Sequence, residues 1–484
     1  YLYHFDYVLE RRRDKVPGAG HGSEIPFVFN TLDELPMPRL LVSDADRAMA
    51  RRLHSHWLNF ARSGDPAGAA EGYWPAYAPA RDTLLYIGSD RVEARSGLRR
   101  AADGGLPRGD SDTPTSTIFD AIREGDILLH HPYESFEASV ERFVSEAADD
   151  PDVVAIKQTI YRTSPDSPFV RSLIRAAENG KNVACLVELR ARFDEQRNVA
   201  YARQLEHAGV HVAYGVVGLK THCKCSLVVR REHNEGASGI RAYAHIGTGN
   251  YHPKTAQLYT DLGLLTADPA LTGDVVKIFN TLTGHASDQD YEKLLVAPGG
   301  MRPAFERMID REIEHARAGR PARIVAKMNQ LEDRALTRRL YEASAAGVEV
   351  RLIVRGFCCL RPGVGGLSEN IRVRSVIGRF LEHSRIYHFA NGASDPEEGE
   401  FYIGSADWMY RNLNNRVEAT TPVEDRDARR RLTHILDVLW RDRRNAWEIT
   451  GDGGHTRLEP DDSAEIGTPE ASGTFASLMA DIQA

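Results

Sequence analysis

From about Ile118 to Thr450, short runs of Val, Ile and Leu alternate with stretches whose apolar residues recur at helical spacing. Phe169, Val170, Leu173, Ile174 and Ala177 fall at i, i+3/i+4, which predicts a helix over 169–178 with one apolar face. A strand, Val153-Val-Ala-Ile-Lys157, precedes it; Gly180-Lys181 and a strand over Val183–Leu189 follow. The same order returns as Arg323-Ile-Val-Ala-Lys327, a helix around Leu336–Ala345, Gly347 and a strand over Val348–Val354. Gly180 and Gly347 stand where a helix C-terminal cap calls for positive φ. Strands of unbroken Val/Ile/Leu imply sheets covered on both faces, hence mostly parallel ones. Each copy reads as a βαβ unit with a right-handed crossover. The expected fold class is α/β, with two similar domains and a site between them.

Other stretches lack this texture. Ser96–Thr117 is rich in Gly, Pro, Ser, Asp and Arg and reads as a linker. The tail from Gly451 turns polar and Gly/Pro-rich. Near the start, Trp57-Leu-Asn-Phe60 and its neighbours predict an amphipathic helix. No run of about 18 apolar residues exists to cross a membrane, and Tyr1–Asp14 has no signal-peptide order. A chain opening on Tyr1 reads as a fragment of something longer. Five clustered cysteines do not make a disulfide framework and fit a reducing compartment. Cys223-x-Cys225 lacks a second pair at zinc spacing.

The net charge of −8 argues against a general nucleic-acid coat. The basic residues comprise 52 Arg and only 9 Lys, yet Lys157, Lys181, Lys220, Lys224 and Lys254 share one stretch of about a hundred residues. Inside that stretch lies a small constellation that the second copy repeats. His222-Cys223-Lys224 precedes Gly247-Thr248-Gly249-Asn250, and His383-Ser384-Arg385 precedes Gly404-Ser405-Ala406-Asp407. The pattern is H-x-[K/R] … G-[S/T]-x-[N/D], with 25 residues from His to Gly in the first copy and 21 in the second. Strand alternation puts His222 and Lys224 on one face and Cys223 and Cys225 on the other. His383 and Arg385 share a face in the same way. An imidazole beside a fixed cation, with hydroxyl and amide groups nearby, suits attack on phosphorus: cations stabilise phosphoryl oxygens while the ring acts as nucleophile or acid.

From about Ile118 to Gly453 the sequence resembles polyphosphate kinase of the first type, whose catalytic half belongs to the phospholipase D superfamily. The resemblance rests on Asp126–Phe136, Ile156–Arg162, Val187–Asn198, Gly218–Lys224, His245–Tyr251, Leu258–Asp268, Cys358–Tyr387 and Gly404–Asn412. It implies two phospholipase-D-like α/β/α domains and a Mg2+-dependent, reversible transfer of the ATP γ-phosphate through a phosphohistidine to inorganic polyphosphate. On that match His222 in GLKTHCK is the nucleophile, and His383 in LEHSR serves as acid or orients the same phosphate. Lys224 and Arg385 accompany them. Tyr259 and Arg355 fall at positions associated with ATP, with Asn250 and His383 also toward phosphate. Arg162 and Arg192 fall where the family is associated with magnesium. A guanidinium is no metal ligand, so these two read as phosphate clamps beside the ion.

The first hundred residues resemble the C-terminal segment of type-B carboxylesterases, through Gly18–Asp33, His54–Gly68 and Tyr73–Pro79. His21 would be the triad histidine there. No G-x-S-x-G elbow occurs in the 484 residues, so acyl transfer lacks its nucleophile. The expected division is a carboxylesterase-like fragment over 1–95, a linker over 96–117, catalytic domains over 118–298 and 299–450, and a polar tail over 451–484. That is a composite chain, joined in the linker and missing the N-terminal and head domains that the family carries. The expected partners are ATP/ADP and polyphosphate, with no nucleic acid. The resemblance implies a homo-oligomer in the cytoplasm or peripheral at a membrane. A phosphodiesterase or nuclease of the same superfamily, with water as acceptor, and an inactive polyanion-binding fragment are the competing readings.

Overall fold

The computed structural model describes residues 3–13, 24–34, 42–63, 65–66, 74, 83–88, 92–96, 117–161, 167–188, 195–234, 237–284, 289–460, 463, 465 and 467–482. The chain divides into two compact units, Tyr1–Gly105 with Asp110–Pro114, and Leu106–Gly109 with Thr115–Ala484.

In the first unit, β1 (Tyr3–Asp6), β2 (Thr83–Gly88) and β3 (Val92–Ser96) form one sheet in that order. Helix α1 (Asp44–Ser63) contains the amphipathic segment expected around Trp57. Its Ala50 and Leu53 join Tyr7, Phe27, Trp74, Leu85 and Ile87 in a small buried cluster. Trp57, Leu58 and Phe60 stay 37–43% exposed.

The first half of the second unit runs β4 (Ile127–His131), α2 (Arg142–Asp149), β5 (Val153–Ile160), α3 (Pro168–Glu178), β6 (Asn182–Val187) and β7 (His211–Ala213). It continues with β8 (Lys220–Thr221), β9 (Lys224–Asn234), β10 (Ala237–Gly247), β11 (Tyr259–Thr266) and α4 (Pro269–Leu282). The second half repeats the order: β12 (Leu295–Ala297), α5 (Met301–Arg317), β13 (Arg323–Met328), α6 (Arg334–Ala345), β14 (Glu349–Val354) and β15 (Ile371–Val376). Then come β16 (Leu381–Glu382), β17 (Ile386–Phe389), β18 (Glu400–Gly404), β19 (Arg416–Val423), α7 (Arg426–Arg441), β20 (Ala446–Ile449) and β21 (His455–Arg457). The helix expected over 169–178 is α3, and Gly180 and Gly347 take φ of +77° and +95° after α3 and α6, as their capping role requires.

The α/β class holds, but the sheets are mixed rather than mostly parallel. β5-β6-β7 run parallel, and so do β13-β14-β15. Within β9-β10-β11 and β17-β18-β19 the strands run antiparallel to one another, and β9 and β17 run antiparallel to β5 and β13. Their unbroken apolar runs have another cause: both faces are covered without a crossover helix on each. One face of the first sheet packs on α2 and α3, through Phe143, Val144, Phe169, Val170 and Leu173. One face of the second packs on α5 and α6, through Phe305, Ile309, Leu336 and Leu340. The remaining two faces share a single hydrophobic cluster with α4 and α7, in which Cys225 and Ile246 of the first half meet Ile386 and Ile403 of the second. The two halves are thus one folded body.

Candidate active site

Each motif histidine stands just ahead of a central strand, His222 before β9 and His383 before β17. Immediately before each, a two-residue strand crosses to the other half: β8 pairs with β19, and β16 pairs with β11, both parallel. The His222 N–H donates to the Val417 carbonyl at 2.9 Å and the His383 N–H to that of Thr260 at 3.2 Å. The next residue on each receiving strand is an acid. His222 Nδ1 lies 2.9 Å from Glu418 Oε2, and His383 Nδ1 lies 2.7 Å from Asp261 Oδ1. Each half therefore supplies the carboxylate that orients the other half's imidazole.

The G-[S/T] turns explain themselves in this frame. Thr248 Oγ1 donates to Asp261 Oδ1 at 2.6 Å, and Ser405 Oγ donates to Glu418 Oε2. A Cβ at Gly404 would lie 2.5 Å from the Ala419 carbonyl, so only glycine lets the turn approach β19 this closely.

Three buried cations surround the pair. Lys224, 2% exposed, donates its ammonium to the His222 carbonyl. Arg385, 3% exposed, donates from Nη1 to the His383 carbonyl at 2.8 Å and lies 3.3 Å from both nitrogens of that ring. Lys327, 2% exposed, donates to Ser384 O at 2.9 Å and Oγ at 2.8 Å. A buried cation costs several kcal/mol unless paired. Glu382 answers Lys327 at 2.9 Å, Asp407 answers Arg385 at 3.2 Å, and the Glu418 charge acts on Lys224.

The resulting field is uneven. Burial, then Lys224, Arg416 and Arg385, hold His222 well below its ordinary pKa, so the ring is neutral at pH 7. Burial also lowers His383, but Asp261 pulls the other way. The two rings differ in degree: both are lowered by burial, and the Asp261 carboxylate makes His383 the easier of the two to protonate. Burial pushes the Glu418 carboxyl up to about 7 and the Lys224 ammonium down to about 8.

The other expected residues divide into three groups. Tyr259 places its ring 5.3 Å from that of His383, and Arg355 donates from Nη1 to the Glu382 carbonyl at 2.9 Å, so both reach the same cleft. Asn250 follows the first G-[S/T] turn, with a buried Oδ1 that has no hydrogen-bond partner among the described residues. Arg162, Arg192 and His21 lie outside the described residues.

The equivalence expected between Lys157 and Lys327 fails. Gln158 pairs with Ser226 and Lys327 pairs with Ile386. With His222 set on His383, the counterpart of Lys327 is Thr159, whose hydroxyl donates to the Cys223 carbonyl at 3.0 Å as Lys327 donates to that of Ser384.

Sequence reasoning missed Asp261, Glu418 and Lys327. A signal for the two acids existed: each stands 14 residues after the first glycine of its turn, Gly247 or Gly404. Among the described residues no group of three or more His, Cys, Asp or Glu could hold a metal ion. Asp261, Glu382, Asp407 and Glu418 are already engaged by histidine, hydroxyl or cation. These side chains do not form a magnesium cage.

The comparisons agree with this geometry. The model of polyphosphate kinase C-terminal domain 1 matches residues 117–288, and that of polyphosphate kinase C-terminal domain 2 matches 294–468. The carboxylesterase family model matches residues 1–103. A polyphosphate kinase of Synechocystis sp. is 60% identical over 343 residues, 71% of this chain and 46% of that protein. One of Thermosynechococcus vestitus is 57% identical over 367 residues, 76% of this chain and 49% of that protein. The chain spans about half the length of the curated relatives it matches. The crystal structure of polyphosphate kinase from Porphyromonas gingivalis superposes with a TM-score of 0.65 at 35% identity, covering 77% of this chain and 58% of that one. Two halves that each supply a histidine and orient the other's, matched end to end by both C-terminal domain models, make the chain a member of the polyphosphate kinase family over residues 117–468.

Proposed function

We propose that this site transfers the γ-phosphate of ATP reversibly to inorganic polyphosphate through a phosphohistidine at His222. The observation that carries the reading is the contact between the His222 Nδ1 and Glu418 across the two halves. With Glu418 ionised, Nδ1–H donates to it and leaves the Nε2 lone pair free to attack phosphorus. The Nε2–P bond forms as the bond from phosphorus to the β-γ bridging oxygen breaks, and ADP leaves with that electron pair. Lys224 and Arg385 neutralise the charge spread over the phosphoryl oxygens. The terminal oxygen of polyphosphate then attacks the phosphohistidine, and His222 recovers its lone pair.

His383 Nε2 points the second imidazole at the same phosphate in this reading. A bound polyanion raises its pKa, so the ring takes up a proton between phosphate and Asp261 and holds the oxygen in place. Magnesium, implied by the resemblance, would come on the nucleotide's own phosphates, because the described side chains offer no cage. Among the described residues no helix is long and apolar enough to cross a membrane. Cytoplasmic location and a homo-oligomeric state accompany this reading as proposals.

The test is label from γ-labelled ATP retained on denatured protein, acid-labile and alkali-stable. His222→Ala abolishes it. His383→Ala slows it about 10²–10⁴-fold, the usual contribution of a proton-handling group, but leaves it detectable. Full labelling of His222→Ala would refute the assignment, and free phosphate released without labelled polymer would give the site to hydrolysis.

A further inference from the structure

A second cationic feature stands apart from the cleft. On the α7 side of the second sheet, Arg351 of β14 lies directly opposite Arg372 of β15. Arg374, two residues on, places its guanidinium 4.5 Å from the Trp440 ring centroid, and Arg351 places its own 5.3 Å from the same ring. Arg372, Arg443 and Arg351 all press on Arg374 as like charges. Two acids among the described residues answer this cluster. Glu448 lies 3.8 Å from Arg374, and Glu349 is shared between Arg351 at 2.6 Å and Arg323 at 3.0 Å. Among the described residues these two carboxylates pair with Arg351, Arg374 and Arg323, while Arg372 and Arg443 have no ion pair. Arg372 and Arg443 are exposed, and the buried Arg374 Nε has no hydrogen-bond partner among the described residues. Crowded guanidiniums of this kind are relieved by an anion with several oxygens, and planar forks suit phosphate above other anions.

The patch is also placed for one particular anion. Arg355, at the cleft, follows Arg351 by four residues and stands just past the end of β14, about 13 Å on at strand rise. An extended chain of phosphates reaching past Arg355 can cover that separation and meet the patch. The patch does not suit single-stranded nucleic acid, which needs open aromatic faces for stacking; Trp440 already carries two guanidiniums.

We propose that the arginine cluster around Trp440 is a second binding site for polyphosphate, which holds the body of a long chain while its end occupies the cleft. This deepens the phosphotransferase reading and rests on it for the identity of the chain. The site adds no chemistry; it raises the effective concentration of the chain end at His222.

The experiment uses the full chain, end-labelled polyphosphate of about a hundred units, and triphosphate as the short probe. Arg372→Glu/Arg443→Glu reverses two exposed charges, and Arg372→Ala/Arg443→Ala repeats the test without new ones; urea midpoints check folding. Long-chain affinity falls about tenfold or more in both variants, and the salt dependence of binding flattens by about one unit per lost contact, by analogy with phosphate-backbone binding. Triphosphate binding and labelling from ATP stay at parent values. Unchanged long-chain affinity in both folded variants overturns the proposal. So does an equal loss for a single-stranded oligonucleotide or phosphatidylserine vesicles, which would make the patch a general polyanion surface. A parent chain that takes no label from ATP, yet loses long-chain binding in these variants, sinks the phosphotransfer reading and leaves the second site standing.

Discussion

Replacing Glu418 by Gln removes one charge and keeps the shape of the group that orients His222. When phosphorus bonds to Nε2 the ring gains positive character, and Glu418 sees that charge at about 4 Å. At an effective dielectric of about 20 the attraction is about 4 kcal/mol. The amide in Glu418→Gln would keep a neutral hydrogen bond to Nδ1 worth about 1 kcal/mol, so about 3 kcal/mol is lost and labelling slows roughly 10²-fold. The pH profile gives a sharper readout. Burial holds the Glu418 carboxyl up to about 7. Below that pH its O–H donates to Nδ1, the ring proton moves to Nε2, and the lone pair that attacks is gone. Burial also brings Lys224 down to about 8, and above that pH the phosphoryl oxygens lose a cation. Initial labelling at subsaturating donor, which reports the free enzyme, therefore rises through about pH 7 and falls beyond about pH 8. In Glu418→Gln the rising limb disappears and the falling limb moves to lower pH, because the Glu418 charge no longer raises Lys224. The assay is acid-labile, alkali-stable label from about pH 5.5 to about 9.5, run with ATP and again with phosphoramidate, a small donor that needs no nucleotide pocket. A variant within twofold of the parent that keeps the rising limb would refute the argument.

Other substitutions follow from the same contacts. Asp261→Asn leaves His222 able to take label but slows its discharge to polyphosphate about tenfold or more, read in a chase experiment; unslowed discharge would detach His383 from the second step. Thr248→Val strips one donor from Asp261 and costs about 1 kcal/mol of stability, measured by urea unfolding. Phe305→Ala, beneath Tyr387 and Trp408, costs about 3–5 kcal/mol and moves only the unfolding transition of the catalytic body. The small core around Leu53 unfolds in a separate, earlier transition, which Leu53→Ala shifts alone; a single transition shared by both units would contradict this.

The sequence displayed the repeat because each copy carries its own local marks: the helix face of α3, the capping Gly180 and Gly347, the H-x-[K/R] pair. Strand direction left no such mark. An unbroken apolar run reports only that both faces are buried, and in β9 and β10 the second face is buried against the other half of the molecule, not under a crossover helix. Lys157 and Lys327 end similar strings, yet β5 runs two residues longer than β13 and carries a register shift between Val153 and Ala155, which moves Lys157 off the equivalent position. Asp261 and Glu418 went unnoticed for a related reason. Each sits in a buried strand of its own half, where its local partner is the hydroxyl of the turn, Thr248 or Ser405. The histidine it orients arrives behind β16 or β8 from the other half, 122 residues away for Asp261 and 196 for Glu418.

That exchange shapes what the site can do. If each half oriented its own histidine, the two rings would be set independently, and any shift between the halves would change their relative placement. Crossing the strands ties each ring to both halves at once. Within this shared frame the chemistry is not symmetric. The His222 side is built from groups that titrate near neutrality, Glu418 at about 7 and Lys224 at about 8. The His383 side is built from groups that keep their charge: Asp261, lowered by His383 and Thr248 against burial, and Arg385, raised by Asp407 and Asp261 against burial. Lys327, where the first half has Thr159, adds a second buried ammonium beneath that side. A ring that must alternate between free base and phosphorylated cation benefits from neighbours that can adjust by a proton. A ring that only has to hold a phosphate benefits from neighbours that cannot. On the proposed mechanism these neighbours suit attack by His222 and phosphate holding by His383, and substituting Lys for Arg385 should bring a second titration into the pH profile without moving the attack from His222.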